Sequence, residues 1–297
     1  MTSDVYPKTG PLQAPVPTRR SRRMAKFWRS FPLYLLLTLG LSFTLLPFLM
    51  MIMSSFKTNT EVLQVPPTFL PANPTLENYR KIFNDPNLPL LRFYGNSAFV
   101  AFFNVGTTLF TSALIGYLFA KYQFKGKRIL FGWFLTTMMI PTQITMIPSY
   151  LILSRLKLIN SLWGLVIFSA VDAFGIFMLR QFCESLPSEL LDAARIDGAS
   201  EWQIFLRIVL PQLSAPLATL GILSFMGNWN AYLWPMIVLQ KIEVRTLPII
   251  LTWFNSTHTG QGGLVMAATV LIMLPILMVL VYFQRWIVKG FTMTGFK

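Results

Sequence analysis

Charge, cysteine and histidine are all scarce in this chain. Only 12% of its 297 residues are Asp, Glu, Lys or Arg, about half the share of a typical soluble domain. That leaves too little polar surface to cover a water-soluble globule. The 54% of hydrophobic residues exclude disorder, collagen and coiled coil as well. The lone Cys183 rules out an intrachain disulfide framework. Cys183 and the sole histidine, His258, cannot supply the four N/S ligands of a protein-only zinc site. His258 lies in the polar stretch Asn255–Gly263 and reads as a solvated loop residue. No G-x-x-x-x-G-K-[ST], G-x-S-x-G or H-E-x-x-H occurs. Nothing therefore points to covalent catalysis, a resident cofactor or a metal, and any work done must be driven from elsewhere. The net charge of +14 would suggest nucleic acid in a soluble protein. Here the basic residues cluster at the ends of apolar runs, which points to membrane topology and to no nucleic-acid partner.

Six apolar runs are long enough to cross a lipid membrane, which takes roughly 20 residues. They extend approximately over Phe31–Met53, Ala98–Ala120, Phe131–Leu153, Leu162–Leu179, Leu213–Leu239 and Leu264–Val288. The first, second and sixth are uninterrupted. Pro141 and Pro148 interrupt the third, Pro216 and Pro235 the fifth, and the fourth holds Asp172. Such breaks are tolerated when neighbours re-satisfy the freed backbone groups. Lys and Arg number 17 on the side of the two tails, Lys121–Arg128 and Arg180–Arg207, against 8 on the other. This bias places both termini in the cytoplasm. The expected class is an all-α polytopic bundle of six transmembrane helices. A disordered basic tail is expected over residues 1–30, anchored at anionic headgroups, and the six-span domain over 31–290. That domain contains an outer loop at 57–93 and a cytoplasmic segment at 184–211, and a short tail follows at 291–297. In the second span Asn104, Thr108, Ser112 and Gly116 recur every fourth residue. Such a face lets helices pack closely or lines a path.

The segment 184–211 is too polar to span and too patterned for a random loop. Ser188 is placed to cap a helix, with Glu189 in its first turn, Asp192 beside Arg195 at i,i+3, and Gly198 as a left-handed stop. Ser200-Glu201-Trp202-Gln203 is a capping box that starts a second helix. Ile204, Phe205, Ile208 and Val209 form that helix's apolar face, and Pro211 closes it.

These residues resemble a known family. Permease subunits of binding-protein-dependent ABC importers carry E-A-A, three residues, G, nine residues, I-x-L-P. This chain reads Asp192-Ala193-Ala194, three residues, Gly198, nine residues, Ile208-Val209-Leu210-Pro211. Every spacing fits, with Asp in place of the initial Glu. The string Ala193–Ala199 resembles the carbohydrate-importer branch. So do Asn78-Tyr79-Arg80, Asn96-Ser97, Ile140-Pro141-Thr142-Gln143, Trp229-Asn230, Leu233-Trp234-Pro235 and Thr246-Leu247-Pro248. The likeness extends over roughly residues 25–290 and is nearest the smaller, six-span subunit of maltose-type transporters.

The resemblance implies that Glu189, Asp192, Ala193, Ala194, Asp197, Gly198 and Pro211 belong to a coupling helix that docks on an ATPase. It also implies a heterodimer with a second permease, two ATPase subunits that bind ATP and Mg, and an external solute-binding protein, all at a prokaryotic inner membrane. Sugars or oligosaccharides are the expected cargo, with glycerol-3-phosphate or another polyol as the alternative. A secondary transporter is a further alternative, but it would need paired intramembrane charges, and Asp172 has no ionic partner in the spans. Exposed Leu190, Leu191, Ile196 and Trp202 are expected to form the docking face. The proline-rich loop Lys57–Arg92 either meets the binding protein or packs on the spans as a cap.

Asp172 falls near the middle of the fourth span, where a charge costs on the order of 2.5–3.5 kcal/mol. It should face inward, toward Gln143, Thr145, Asn228 or Asn230. One reading makes it an interhelical hydrogen-bonding group that holds the fold. The other makes it part of the substrate path with Gln143, Asn228, Trp229 and Asn230, the carboxylate bonding sugar hydroxyls and the Trp229 ring stacking on the sugar.

Overall fold

The computed structural model describes residues 19–293 except 87 and 258–260, with side chains from 30 to 283 except 87, 253 and 255–260. His258 and the termini at 1–18 and 294–297 thus lie outside the described residues. No strand occurs among the described residues. The chain divides into two compact units, residues 1–51 and 52–297.

The first unit is dominated by α1 (Arg19–Ser55), which continues into the second. Its part from Ser30 to Ser55 is long and apolar enough to cross a membrane. The helix begins at Arg19, so the tail expected to be disordered through residue 30 is helical over its last twelve residues, Arg19, Arg20, Arg22 and Arg23 included. Pro32 and Pro47 lie inside this helix without ending it.

The second unit continues with α2 (Asn59–Val62), α3 (Glu77–Asn84) and α4 (Leu90–Lys121). After these come α5 (Lys127–Thr137), α6 (Thr142–Arg155), α7 (Leu162–Ser169) and α8 (Ala173–Glu184). Next, α9 (Ser188–Ile196) precedes α10 (Glu201–Ile204), a π turn (Phe205–Val209) and α11 (Leu210–Gln212). The chain ends with α12 (Ser214–Trp229), α13 (Leu233–Val238), α14 (Ile250–Thr257) and α15 (Gly262–Met293). The helix α15 continues through residue 293, into the expected C-terminal tail.

The three uninterrupted runs become long helices: α1, α4 and α15. The interrupted runs do not become straight spans. The third is α5 and α6, bent by 101°; the fourth is α7 and α8, bent by 43°. Counting each bent pair as one span gives up to six crossings. Pro141 accounts for the third break, since it is extended (φ −59°, ψ 131°) just before α6 and disfavours helical backbone at Ile140. Pro148 sits inside α6 without ending it. The fifth run gives α12, a break at Asn230–Tyr232, and then the short α13.

Helix α4 is the central pillar. The stripe Asn104, Thr108, Ser112 and Gly116 is buried, and α8 crosses it at close range. A Cβ on Gly116 would lie 2.9 Å from the Arg180 backbone nitrogen, and one on Gly175 would lie 2.4 Å from Ser112 Oγ. Only residues without a side chain allow that approach. At the far end of α4, Asn96 Nδ2 donates to the carbonyls of Glu243 (3.0 Å) and Arg245 (2.9 Å), while Ser97 Oγ accepts from the Leu247 amide (2.7 Å). Two segments singled out in the sequence, Asn96-Ser97 and Thr246-Leu247-Pro248, thus hold each other.

The loop 57–93 packs in part as a cap. Asn78 Nδ2 donates to the carbonyls of Ser55 and Lys57, both at 2.9 Å. Ile82 of α3 joins a core with Phe93, Phe254, Leu264 and Ala267. Between these anchors Leu63, Val65, Phe69 and Leu70 remain exposed.

Candidate functional site

Two groups of predicted residues are brought together, at different places in the bundle. The first is the helical pair after α8. Helix α9 starts one residue earlier than expected, with Pro187 as the cap and Ser188 already helical. Its end is a left-handed glycine stop. Gly198 has φ +80°, its amide donates to the Arg195 carbonyl, and the Ala199 amide donates to the Ala194 carbonyl, both at 3.0 Å. This is the paired bond pattern that ends a helix on glycine. The capping box forms as read: the Ser200 amide donates to Gln203 Oε1 (2.8 Å) and the Gln203 amide to Ser200 Oγ (3.3 Å).

Arg195 locks the two helices across the glycine turn. Its Nε donates to Glu201 Oε1 (2.7 Å), its Nη2 to Glu201 Oε2 (3.3 Å) and its Nη1 to Asp192 Oδ1 (2.7 Å). The Tyr122 hydroxyl, just past α4, also donates to Glu201, and Lys121 Nζ bonds the Leu186 carbonyl. The pair is therefore fastened to the end of the pillar helix. These bonds hold the Glu201 carboxyl below its ordinary value, with Arg195 the main cause and Tyr122 the second. They push the Arg195 guanidinium up, Glu201 first and Asp192 next. Partial burial first, and the bond to Glu201 second, push the Tyr122 phenol up.

Beneath this surface Leu191, Ile204, Phe205 and Val209 are buried against Tyr117, Leu179 and Leu213. Leu191 had been expected on the exposed face beside Leu190. Adjacent helical residues point about 100° apart, so one of the two turns inward, and Leu190 is the one left outside. Ile196 is 87% exposed, and Trp202 and Leu206 are exposed too. Glu189, Asp192, Ala193, Asp197 and Gly198 are on the surface, with Ala194 half-buried. Pro211 does not close the second helix. The chain stays helical through Gln212 and turns by 78° into α12 at Leu213. Pro211 instead follows the π turn, where the Leu210 amide bonds the Phe205 carbonyl. A proline here lacks an amide for the helix ladder and crowds the carbonyl four residues back, and a wider turn relieves both.

The second group surrounds a polar cavity of about 550 Å³. Its polar lining is Thr108 of α4, Thr142 of α6, Ser169, Asp172, and Ser224 and Asn228 of α12. Asp172 is not in the middle of a helix. It is extended (ψ 117°) at the break between α7 and α8 and caps α8, accepting from the amides of Gly175 (2.9 Å) and Phe174 (3.3 Å). A carboxylate is well placed at a helix N-terminus, where open amides and the helix dipole favour negative charge. Asn228 Oδ1 accepts from Asn104 Nδ2 (2.6 Å) and its Nδ2 donates to the Ser224 carbonyl (2.8 Å), tying α12 to α4.

The other expected path residues lie elsewhere. Gln143 is exposed and absent from the lining, although its neighbour Thr142 is part of it. Trp229 is 4% exposed; its ring stacks on Phe225 at 5.5 Å and its Nε1 donates to the Ile272 carbonyl (3.1 Å). It is a core residue between α12 and α15, not a stacking platform in this cavity, because its one polar atom is already paired inside. Asn230 caps the end of α12 and lines a separate cavity of about 410 Å³ with Tyr232 and Thr252. Reasoning from sequence missed Thr142, Ser169 and Ser224. Ser224 carried a usable signal, lying one helical turn before Asn228 on the same face.

The family of inner membrane components of binding-protein-dependent transport systems matches residues 112–293. This chain belongs to that family. The permease is 34% identical over 268 residues to the arabinooligosaccharides transport system permease AraQ of Halalkalibacterium halodurans, covering 88% of this chain and 96% of the relative. It is 33% identical over 257 residues to the lactose transport permease LacG of Rhizobium radiobacter, covering 86% and 93%. It is 31% identical over 263 residues to the sn-glycerol-3-phosphate transport permease UgpE of Pectobacterium atrosepticum, covering 86% and 94%. A crystal structure of a bacterial ABC transporter that imports the acidic polysaccharide alginate contains a chain with TM-score 0.74 and 25% identity, over 92% of this chain and 99% of that one. The permease is thus an inner-membrane component of ABC-importer type, as its Asp192–Pro211 motif implied.

Proposed function

We propose that this permease forms, with a second permease, the membrane path for a sugar or oligosaccharide, and that its α9–α11 segment is where ATPase subunits drive it. The observation that carries this reading is the glycine-turned helix pair. It is rigidly fastened to α4 and leaves Ile196, Trp202 and Leu206 uncovered, which is a liability until a partner buries them. In this reading both termini and the coupling pair are cytoplasmic. Two ATPases bind ATP and Mg and do the hydrolysis, this chain being non-catalytic. An external binding protein delivers cargo near the exposed residues of the 57–93 loop.

The cavity favours neutral cargo. Its described lining holds one carboxylate, four hydroxyls and an amide, with no Lys or Arg. Carboxylates and amides suit polyol hydroxyls, whereas a phosphate ester would meet Asp172 as a like charge. This favours sugar over the glycerol-3-phosphate reading that one relative's substrate raises. The test is to purify the tagged permease and reconstitute the complex that comes with it. Two P-loop ATPases and a second permease should copurify, and ATP-dependent uptake of an oligosaccharide should require the binding protein. A permease that transports on an ion gradient with no ATPase attached would overturn the proposal.

A further inference from the structure

Neither the coupling segment nor the polar cavity uses a third feature, a basic pocket at the coupling-helix end of the bundle. Its volume is about 730 Å³, and its walls include Phe124, Lys127, Arg128, Ile129, Phe131 and Arg180. The Arg180 guanidinium lies 3.9 Å from the Phe131 ring centroid and pairs with Glu184 at 2.5 Å. Its Nε is buried with no hydrogen-bond partner. Lys127 Nζ donates to the Tyr122 carbonyl at 2.9 Å, which leaves two of its three protons uncommitted. Gly126 opens α5 at φ +83° and no side chain caps the helix, whose first-turn amides have no intrahelical partner. Three cations and one carboxylate, Glu184, thus meet at an uncapped helix start, and the balance favours an anion.

The surface beside this pocket is apolar. Ile129 is 68% exposed and Trp133 is 73% exposed. They lie four residues apart, so they share one face of α5. A free anion would have no use for that strip. We propose that the pocket holds the phosphate headgroup of an anionic phospholipid in the leaflet at the coupling-helix end, its acyl chains lying along Ile129 and Trp133. The Arg128 and Lys127 side chains bond the phosphate oxygens, and the Arg180 guanidinium, held over the Phe131 ring, adds its charge at the pocket wall. Because α5 packs against α8, and α8 leads directly into the coupling segment, the lipid would brace the element that carries the coupling helices.

The test uses the full-length permease in its complex, stripped of lipid in detergent and titrated with dioctanoyl phosphatidylglycerol, dioctanoyl phosphatidylcholine or inorganic phosphate, with native mass spectrometry as readout. Arg180→Gln risks misfolding, so the variant is Lys127→Gln with Arg128→Gln, and Lys241→Gln, outside the pocket, is the control. Phosphatidylglycerol should bind and phosphatidylcholine should not. The double variant should bind phosphatidylglycerol about thirtyfold more weakly, and the control should bind normally. Equal binding of both lipids, or full affinity in the double variant, would overturn the proposal. So would competition by inorganic phosphate at equal affinity, which would mark a simple anion site. Crosslinking of Arg128→Cys to an ATPase subunit in place of lipid binding would make the pocket a protein contact and also overturn it.

Discussion

The coupling pair and the polar cavity are built on opposite plans. Every bond that shapes the coupling turn joins residues within ten positions of each other: Asp192 with Arg195, Arg195 with Glu201, Ser200 with Gln203. Only the Tyr122 and Lys121 bonds reach back to α4. The cavity is the reverse. Its polar atoms come from α4, α6, α7, the break before α8 and α12, and the bond that joins two of its walls links Asn104 to Asn228, 124 positions apart. A local device is written in consecutive residues, whereas a cavity is written in the way helices cross. The first is tied to the second through α4, whose end the helix pair holds and whose Thr108 lines the cavity.

The comparison is broken most severely at Gly198. Gly198→Val places a β-branched residue at φ +80°, a strain of roughly 1–3 kcal/mol. Nothing crowds a side chain there, so the protein should insert normally while uptake is lost. Uptake assays on membranes with matched permease content check this, and wild-type uptake would refute it. Next in size is Gly116→Ala. The new Cβ would press on the Arg180 backbone at 2.9 Å, and overpacking of this kind costs about 1–3 kcal/mol. Thermal unfolding in detergent should show the loss, with both regions affected because α4 and α8 serve both.

Asp172 sharpens the comparison. Asp172→Ala removes the cap of α8 and should cost about 0.5–2 kcal/mol. Asp172→Asn keeps a capping oxygen, so it should unfold like wild type yet transport clearly less if the cavity is the path. An Asn variant with normal uptake would reduce Asp172 to a cap. The smallest effect concerns acid. The Glu201 carboxyl is held below its ordinary value of 4.5. A depressed carboxyl contributes stability that is present above the unfolded value and is lost as pH falls through the folded one. The coupling turn should therefore loosen only below about pH 4.5. Hydrogen exchange at the Ala199–Gln203 amides should show this in wild type and not in Glu201→Gln.

The same contrast explains what the sequence disclosed. The glycine stop, the capping box and the Asp192–Arg195 pair were legible because each depends on residues one or two turns apart. The three uninterrupted spans were legible from length alone. The bends were not, because a run of apolar residues fixes how much chain is buried and not its direction. Pro141 announced a break but gave no angle. The cavity was half legible. Asp172 and Asn228 stood out as polar groups in apolar runs, and they do share a wall. Asn230 stood out for the same reason and Trp229 as a ring to stack on a sugar, yet Trp229 lies in the core and Asn230 at another cavity. Ser169 and Thr142 gave no signal, since small hydroxyls are common where helices break.

The π turn at Phe205–Val209 has a further consequence, one of phase. On an unbroken α-helix, residues five apart lie about 140° apart around the axis, so Ile204 and Val209 could not both face the core. The wide turn brings them into line, and both are fully buried. Upstream of it is the coupling pair, and downstream is the bend into α12. Closing the same residues up into regular α spacing would rotate everything on one side of the turn by about 100° relative to the other. The width of a single turn thus sets the azimuth of the exposed face of the α9–α10 pair relative to α12.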